Sequence, residues 1–154
     1  MPTAHQGSPA EVAALDAYIK LMRAAETVTS RAHALLSGQL TLTQFGVLEA
    51  LLHRGPLCAG ELAEKILKSA GNLTLVLANL ERDGLIARTR DTTDARRWII
   101  SLTPEGQTRI SDLFPRIATA ISAEFAHLSA AEQAMLGELC KKLGRGVPPS
   151  VPAA

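Results

Sequence analysis

Four arginines, Arg88, Arg90, Arg96 and Arg97, fall within ten consecutive positions and meet only two carboxylates there, Asp91 and Asp94, leaving that segment a local charge of +2. Guanidinium groups gathered on so short a stretch suit the phosphates and narrow grooves of a nucleic acid, where negative potential is concentrated. A little upstream stand Ser69, Asn72, Thr74 and Leu75. An asparagine amide can pair with both exposed positions of an adenine edge, hydroxyls reach phosphates or bases, and a leucine can touch a thymine methyl. The same residues would also serve as a plain solvated helix face, and the arginines as surface ion pairs of small energetic value. What separates these readings is the set of elements that carries the residues.

Other chemistry finds less support. No nucleophile stands beside a base, no phosphate-binding glycine loop occurs, and Glu61 with Glu64 is one helical pair, so the chain does not read as an enzyme. The histidines His5, His33, His53 and His127 form no HExxH or similar spacing. Cys58 and Cys140 lie 82 positions apart without a CxxC partner, so no metal or other cofactor is implied. Cys58 stands three residues before Glu61, at the N-cap of an expected helix. A helix N-terminus favours thiolate over thiol, so Cys58 is either an inert cysteine or a redox-responsive one. Cys140, between Leu139 and Leu143, reads as a small buried or interfacial apolar residue.

The composition narrows the class. Of 154 residues, 47% are hydrophobic and 20% charged, which suits one folded domain; the formal charge is only +1, so any nucleic-acid contact must be a local patch. Aromatics at 3% argue against a stacking platform for single strands. Neither a secretory leader nor a long apolar run is visible, and the chain reads as cytoplasmic, without a membrane partner.

The elements follow from caps and periodicity. Ser8-Pro9 opens a long amphipathic helix through Leu15, Ile19 and Val28 that stops near Gly38; Thr41 and Gln44 open a second that ends at Gly55-Pro56. A third begins at Cys58, and a fourth runs from Ser69 through Leu73, Val76, Leu77 and Leu80 to Gly84. The period then changes to two, predicting strands over 85–90 and 97–102 around a charged turn. Thr103-Pro104 starts a fifth helix, with a kink expected at Pro115, and Ser129 with Glu132 starts a sixth.

Helix, turn, helix and hairpin in this order predict a mainly α fold with a small β-hairpin wing: a winged helix-turn-helix domain at 39–103, whose second helix enters the major groove. Flanking it are an N-terminal helix (9–38) and C-terminal helices (104–144), with a disordered arm at 1–8 and tail at 145–154. The apolar stripes of these helices exceed what one winged domain needs. A homodimer interface using Leu15, Ile19, Ile117, Ile121, Leu136, Leu139 and Leu143 would absorb the surplus.

The chain resembles the MarR family of transcriptional regulators. The likeness rests on Leu40-Thr41-x-x-Gln44-Phe45-x-Val47-Leu48, on Gly55-Pro56-Leu57 leading to Glu61-Leu62-Ala63, and on Asn72-Leu73-Thr74 with Leu80-Glu81-x-x-Gly84-Leu85-Ile86. It continues through Arg88, Asp94-Ala95-Arg96 and Leu102-Thr103-Pro104-Glu105-Gly106. The resemblance implies a homodimeric repressor on a pseudo-palindromic operator in double-stranded DNA, released by a small aromatic or phenolic effector or by thiol oxidation. It implies that Arg96 reaches the minor groove from a turn fixed by Asp94, and it offers Tyr18, Met22, His33, Phe45 and His53 as effector contacts. Leu75 stands where the family often has arginine. Peroxide sensors of the family carry their cysteine in the N-terminal helix, and residues 9–37 contain none. A winged-helix protein-interaction module and a redox regulator using Cys58 are the alternatives.

Overall fold

A computed structural model describes residues 5–66 and 70–146. The described residues form six α helices and a small antiparallel sheet: α1 (Pro9–Ala32), α2 (Leu42–Arg54), β1 (Leu57–Cys58), α3 (Ala59–Lys65), α4 (Ala70–Arg82), β2 (Ile86–Arg90), β3 (Trp98–Leu102), α5 (Pro104–Phe125) and α6 (Ala130–Arg145). Part of the expected arm, residues 1–4, and most of the expected tail, 147–154, lie outside the described residues, as does Ser69.

Helix starts are set by local chemistry. At α1 the Ser8 hydroxyl accepts the Glu11 N–H while the Glu11 carboxylate accepts the Ser8 N–H at 2.7 Å. Thr41 with Gln44 and Ser129 with Glu132 repeat this reciprocal pairing at α2 and α6. Thr103 caps α5 through the Gly106 N–H, with Pro104 in the first turn, and the helix runs unbroken through Pro115. Gly84, at φ +73°, takes the left-handed conformation that lets the chain leave α4 and enter the sheet directly.

Two elements depart from the pattern in the sequence. The first helix stops at Ala32, not near Gly38; a short 3-10 turn, Ala34–Leu36, follows and seats Leu36 in the core. The sheet has a third strand: β1 pairs with β3, Leu57 opposite Ile100 and Cys58 opposite Ile99, giving the order β1-β3-β2. Two residues between Pro56 and a helix cap carry no periodicity that would announce a strand.

One core holds α2, α4, the sheet and α5 together, from Phe45, Leu48, Leu51 and Leu62 through Leu73, Leu77 and Leu80 to Ile86, Ile100, Ile110, Leu113 and Ile117. Ile117, expected on a dimer face, is only 1% exposed and lies inside this chain's own core. α5 packs on both α2 and α1, and of its large apolar residues Ile121 is exposed. Leu15, Ile19 and Leu136 are half-buried, whereas Ile121, Leu139 and Leu143 are exposed.

Candidate nucleic-acid interface

Burial divides α4 into two faces. Leu73, Leu77 and Leu80 point into the core and Val76 is half-buried, so the 3.6-residue period turns Asn72, Thr74 and Leu75 outward. Leu75 is 67% exposed, an apolar side chain in open solvent at the middle of a helix. Asn72 and Thr74 flank it with an amide and a hydroxyl. The face thus offers hydrogen-bonding groups around one apolar contact, the combination that reads base edges and thymine methyls.

The wing lies against the same helix. Arg88 on β2 is half-buried, and its Nε lies 3.0 Å from the Glu81 carboxylate near the end of α4. Across the hairpin, β2 and β3 pair from Ile86 opposite Leu102 to Arg90 opposite Trp98. The Arg90 guanidinium lies 4.0 Å from the Trp98 ring centroid and donates to the Ala95 carbonyl at 2.7 Å. Arg97 crosses to α3, with one guanidinium nitrogen 3.2 Å from the Cys58 sulfur and 3.9 Å from the Glu61 carboxylate. The sulfur contact first, then the charge of Glu61 and Asp91, fix Arg97 still more firmly in its cationic form.

The turn between the strands is tied by its own polar groups. Asp91 accepts from the Thr93 N–H and hydroxyl, which hold its carboxyl below the usual aspartate range. Its N–H donates to the Arg97 carbonyl, the Arg97 N–H to the Asp94 carbonyl, and the Arg96 N–H to the Asp94 carboxylate. Arg96 is exposed, and its guanidinium has no protein partner among the described residues.

Trp98, Glu81 and Glu61 join the site only in the folded structure. The strands expected over 85–90 and 97–102 would set Arg97 opposite Arg90; the observed register is one residue later and puts Trp98 there. The two glutamates needed tertiary packing to be found.

Cys58 occupies the N-cap of α3, where its N–H donates to the Glu61 carboxylate at 2.7 Å and holds that carboxyl below the ordinary glutamate range. The thiol is half-buried and faces Arg97; Cys140, expected to be either buried or interfacial, is exposed on α6 and so is not buried within this chain. Among the described residues, no group of three or more His, Cys, Asp or Glu is placed to hold a metal ion. No described helix is long and apolar enough to cross a membrane.

A second feature is a cleft of about 570 Å³ along α2, lined by His33, Phe45, Glu49, His53, Arg54 and Lys65 among others. The His33 ring meets Phe45 edge-on and the His53 ring meets Phe114 edge-on, so each of these two lining imidazoles is oriented by an apolar ring. Three residues expected at an effector site therefore converge. Tyr18 and Met22 do not line the cleft; both are exposed on α1. Tyr18 stands fifteen residues before His33, about 22 Å away along a helix that rises 1.5 Å per residue.

Exposed helix and wing on one packed core define a winged helix-turn-helix protein. Comparison with known proteins places it within that class. The family model described as MarR family matches residues 40–98. The HTH-type transcriptional regulator MhqR of Bacillus subtilis strain 168 is 34% identical over 105 residues, covering 68% of this chain and 72% of MhqR. YkoM of the same organism, an uncharacterized HTH-type transcriptional regulator, is 37% identical over 102 residues, 66% of each chain. The structure of PcaV from Streptomyces coelicolor, a transcriptional regulator in complex with its natural ligand, superposes with a TM-score of 0.71 at 26% identity, over 95% of this chain and 99% of PcaV. This chain belongs to the MarR family of transcriptional regulators.

Proposed function

We propose that the protein is a homodimeric repressor that binds a pseudo-palindromic operator and leaves it when a small aromatic acid or phenol occupies the cleft beside α2. The observation that carries the DNA reading is the outward face of α4, Asn72, Thr74 and Leu75, next to a wing that presents Arg96 without a protein partner among the described residues. Helix side chains supply base contacts in the major groove, and a wing arginine suits the narrow minor groove beside it. For the dimer, the support is the row of exposed apolar residues on α5 and α6, Ile121, Met135, Leu139 and Leu143, which a second subunit would cover. For the effector, it is the cleft in which His33, Phe45 and His53 combine apolar walls with imidazoles, Arg54 and Lys65, a lining suited to a ring bearing hydroxyl or carboxylate groups.

A mobility shift with the DNA upstream of its own gene tests this function. At about 0.15 M salt the expected result is binding at least ~10³-fold tighter than to a scrambled duplex, two subunits per duplex, and release by members of a hydroxybenzoate series. Weak binding that salt erases equally on both duplexes would favour a protein-interaction module instead.

A further inference from the structure

In sequence the four wing arginines form one basic patch, but the structure gives them different surroundings. We propose that Arg90 and Arg97 are positioning residues that lock the wing tip around Arg96; this rests on the DNA-binding reading above, which puts Arg96 on the duplex.

The geometry surrounds Arg96 on both sides. Ala95, which precedes it, has its carbonyl bound by Arg90 at 2.7 Å, and the Arg90 guanidinium is itself laid against the Trp98 ring at 4.0 Å. A planar cation stacked on an indole face and bonded to a carbonyl has lost most of its freedom to seek a phosphate. Arg97, which follows Arg96, is anchored through its side chain to Cys58 and Glu61 of another element and through its backbone to Asp91 and Asp94. The residue between these two anchors donates its N–H to the Asp94 carboxylate and leaves its guanidinium in solvent. An exposed seven-residue turn would otherwise sample many conformations, and ordering it on binding would weaken the complex. The two flanking arginines carry out that ordering in advance.

This arrangement has a consequence for energetics. Residues that act through Arg96 lose their effect when Arg96 is absent, so their substitutions are strongly non-additive with it. The measurement is operator affinity across a salt series, by fluorescence anisotropy of a labelled duplex, for Arg90→Ala, Arg97→Ala, Arg96→Ala and the two doubles. Arg96→Ala is expected to lower the salt slope by about 0.9 for each bound subunit. Arg90→Ala and Arg97→Ala are expected to weaken binding by about three- to tenfold, through lost preorganisation, but to add less than about twofold when combined with Arg96→Ala. Additive losses in the doubles, or no loss in the singles, would overturn the proposal.

A second readout needs no DNA. Trp98 is the only tryptophan of the chain, so its fluorescence reports the wing directly. Arg90→Ala should shift Trp98 emission and raise its quenching by acrylamide, while far-ultraviolet circular dichroism stays unchanged. An unaltered Trp98 signal would show that the stack does not form, whether or not the protein binds any duplex. If wild type binds no duplex while Trp98 responds, the DNA reading fails and the lock itself stands.

Discussion

At Gly106 a single hydrogen atom sets how closely α5 approaches the sheet. The residue is buried in the first turn of α5, and a Cβ placed on it would collide with the backbone carbonyl of Leu85. The obstacle is backbone, also held by the Thr103 N–H, so it cannot swing aside as a side chain tip would. Gly106→Ala should therefore cost about 1–3 kcal/mol despite the better helix propensity of alanine, read as a lower urea midpoint. A neutral or stabilising change would contradict the close approach. Much else at this scale was legible in the sequence because it is local. The pairs Thr41 with Gln44 and Ser129 with Glu132 span three residues and form reciprocal caps; Ser8 caps α1 as expected, with Glu11 as a further partner that its Ser-Pro start does not announce. The partners of the arginines were not legible, since Cys58 and Arg97 are 39 positions apart and meet only because β1 pairs with β3.

Among the elements, the helix caps differ in one chemical respect that pH can expose. Glu11 and Glu132 accept the N-cap N–H groups of α1 and α6, and these bonds hold both carboxyls below their ordinary value of 4.5. Their contribution is full above that value and is lost as pH falls through the lower folded-state values. Gln44 performs the same task at α2 with an amide that does not titrate. Amide protection in the first turns of α1 and α6 should therefore fall as pH drops below about 4.5, while that of α2 holds; parallel loss in all three would contradict this. Helices and hairpin were legible from period and punctuation. The end of α1 was not, because Leu36 enters the core only if the helix tightens at His33, and β1 was not, because two residues carry no period.

For the whole molecule, the 47% hydrophobic content divides between an enclosed core and an outward apolar face on α5 and α6. Leu143, 67% exposed, lies on the second face, whereas Ile117, from the same expected set, belongs to the first. A net charge of +1 is likewise an average, over acid-balanced helices and one arginine-bearing wing. If two such subunits pair through the outward face, their α4 helices must meet successive major grooves on one side of a duplex, about 34–36 Å apart. Selection of bound duplexes from a random pool tests this most directly. The expected result is enrichment of a two-half-site, pseudo-palindromic sequence with half-site centres about one helical turn apart, about 10–10.5 base pairs or a multiple. Recovery of unenriched random sequence, or of a lone half-site bound by one subunit, would contradict it.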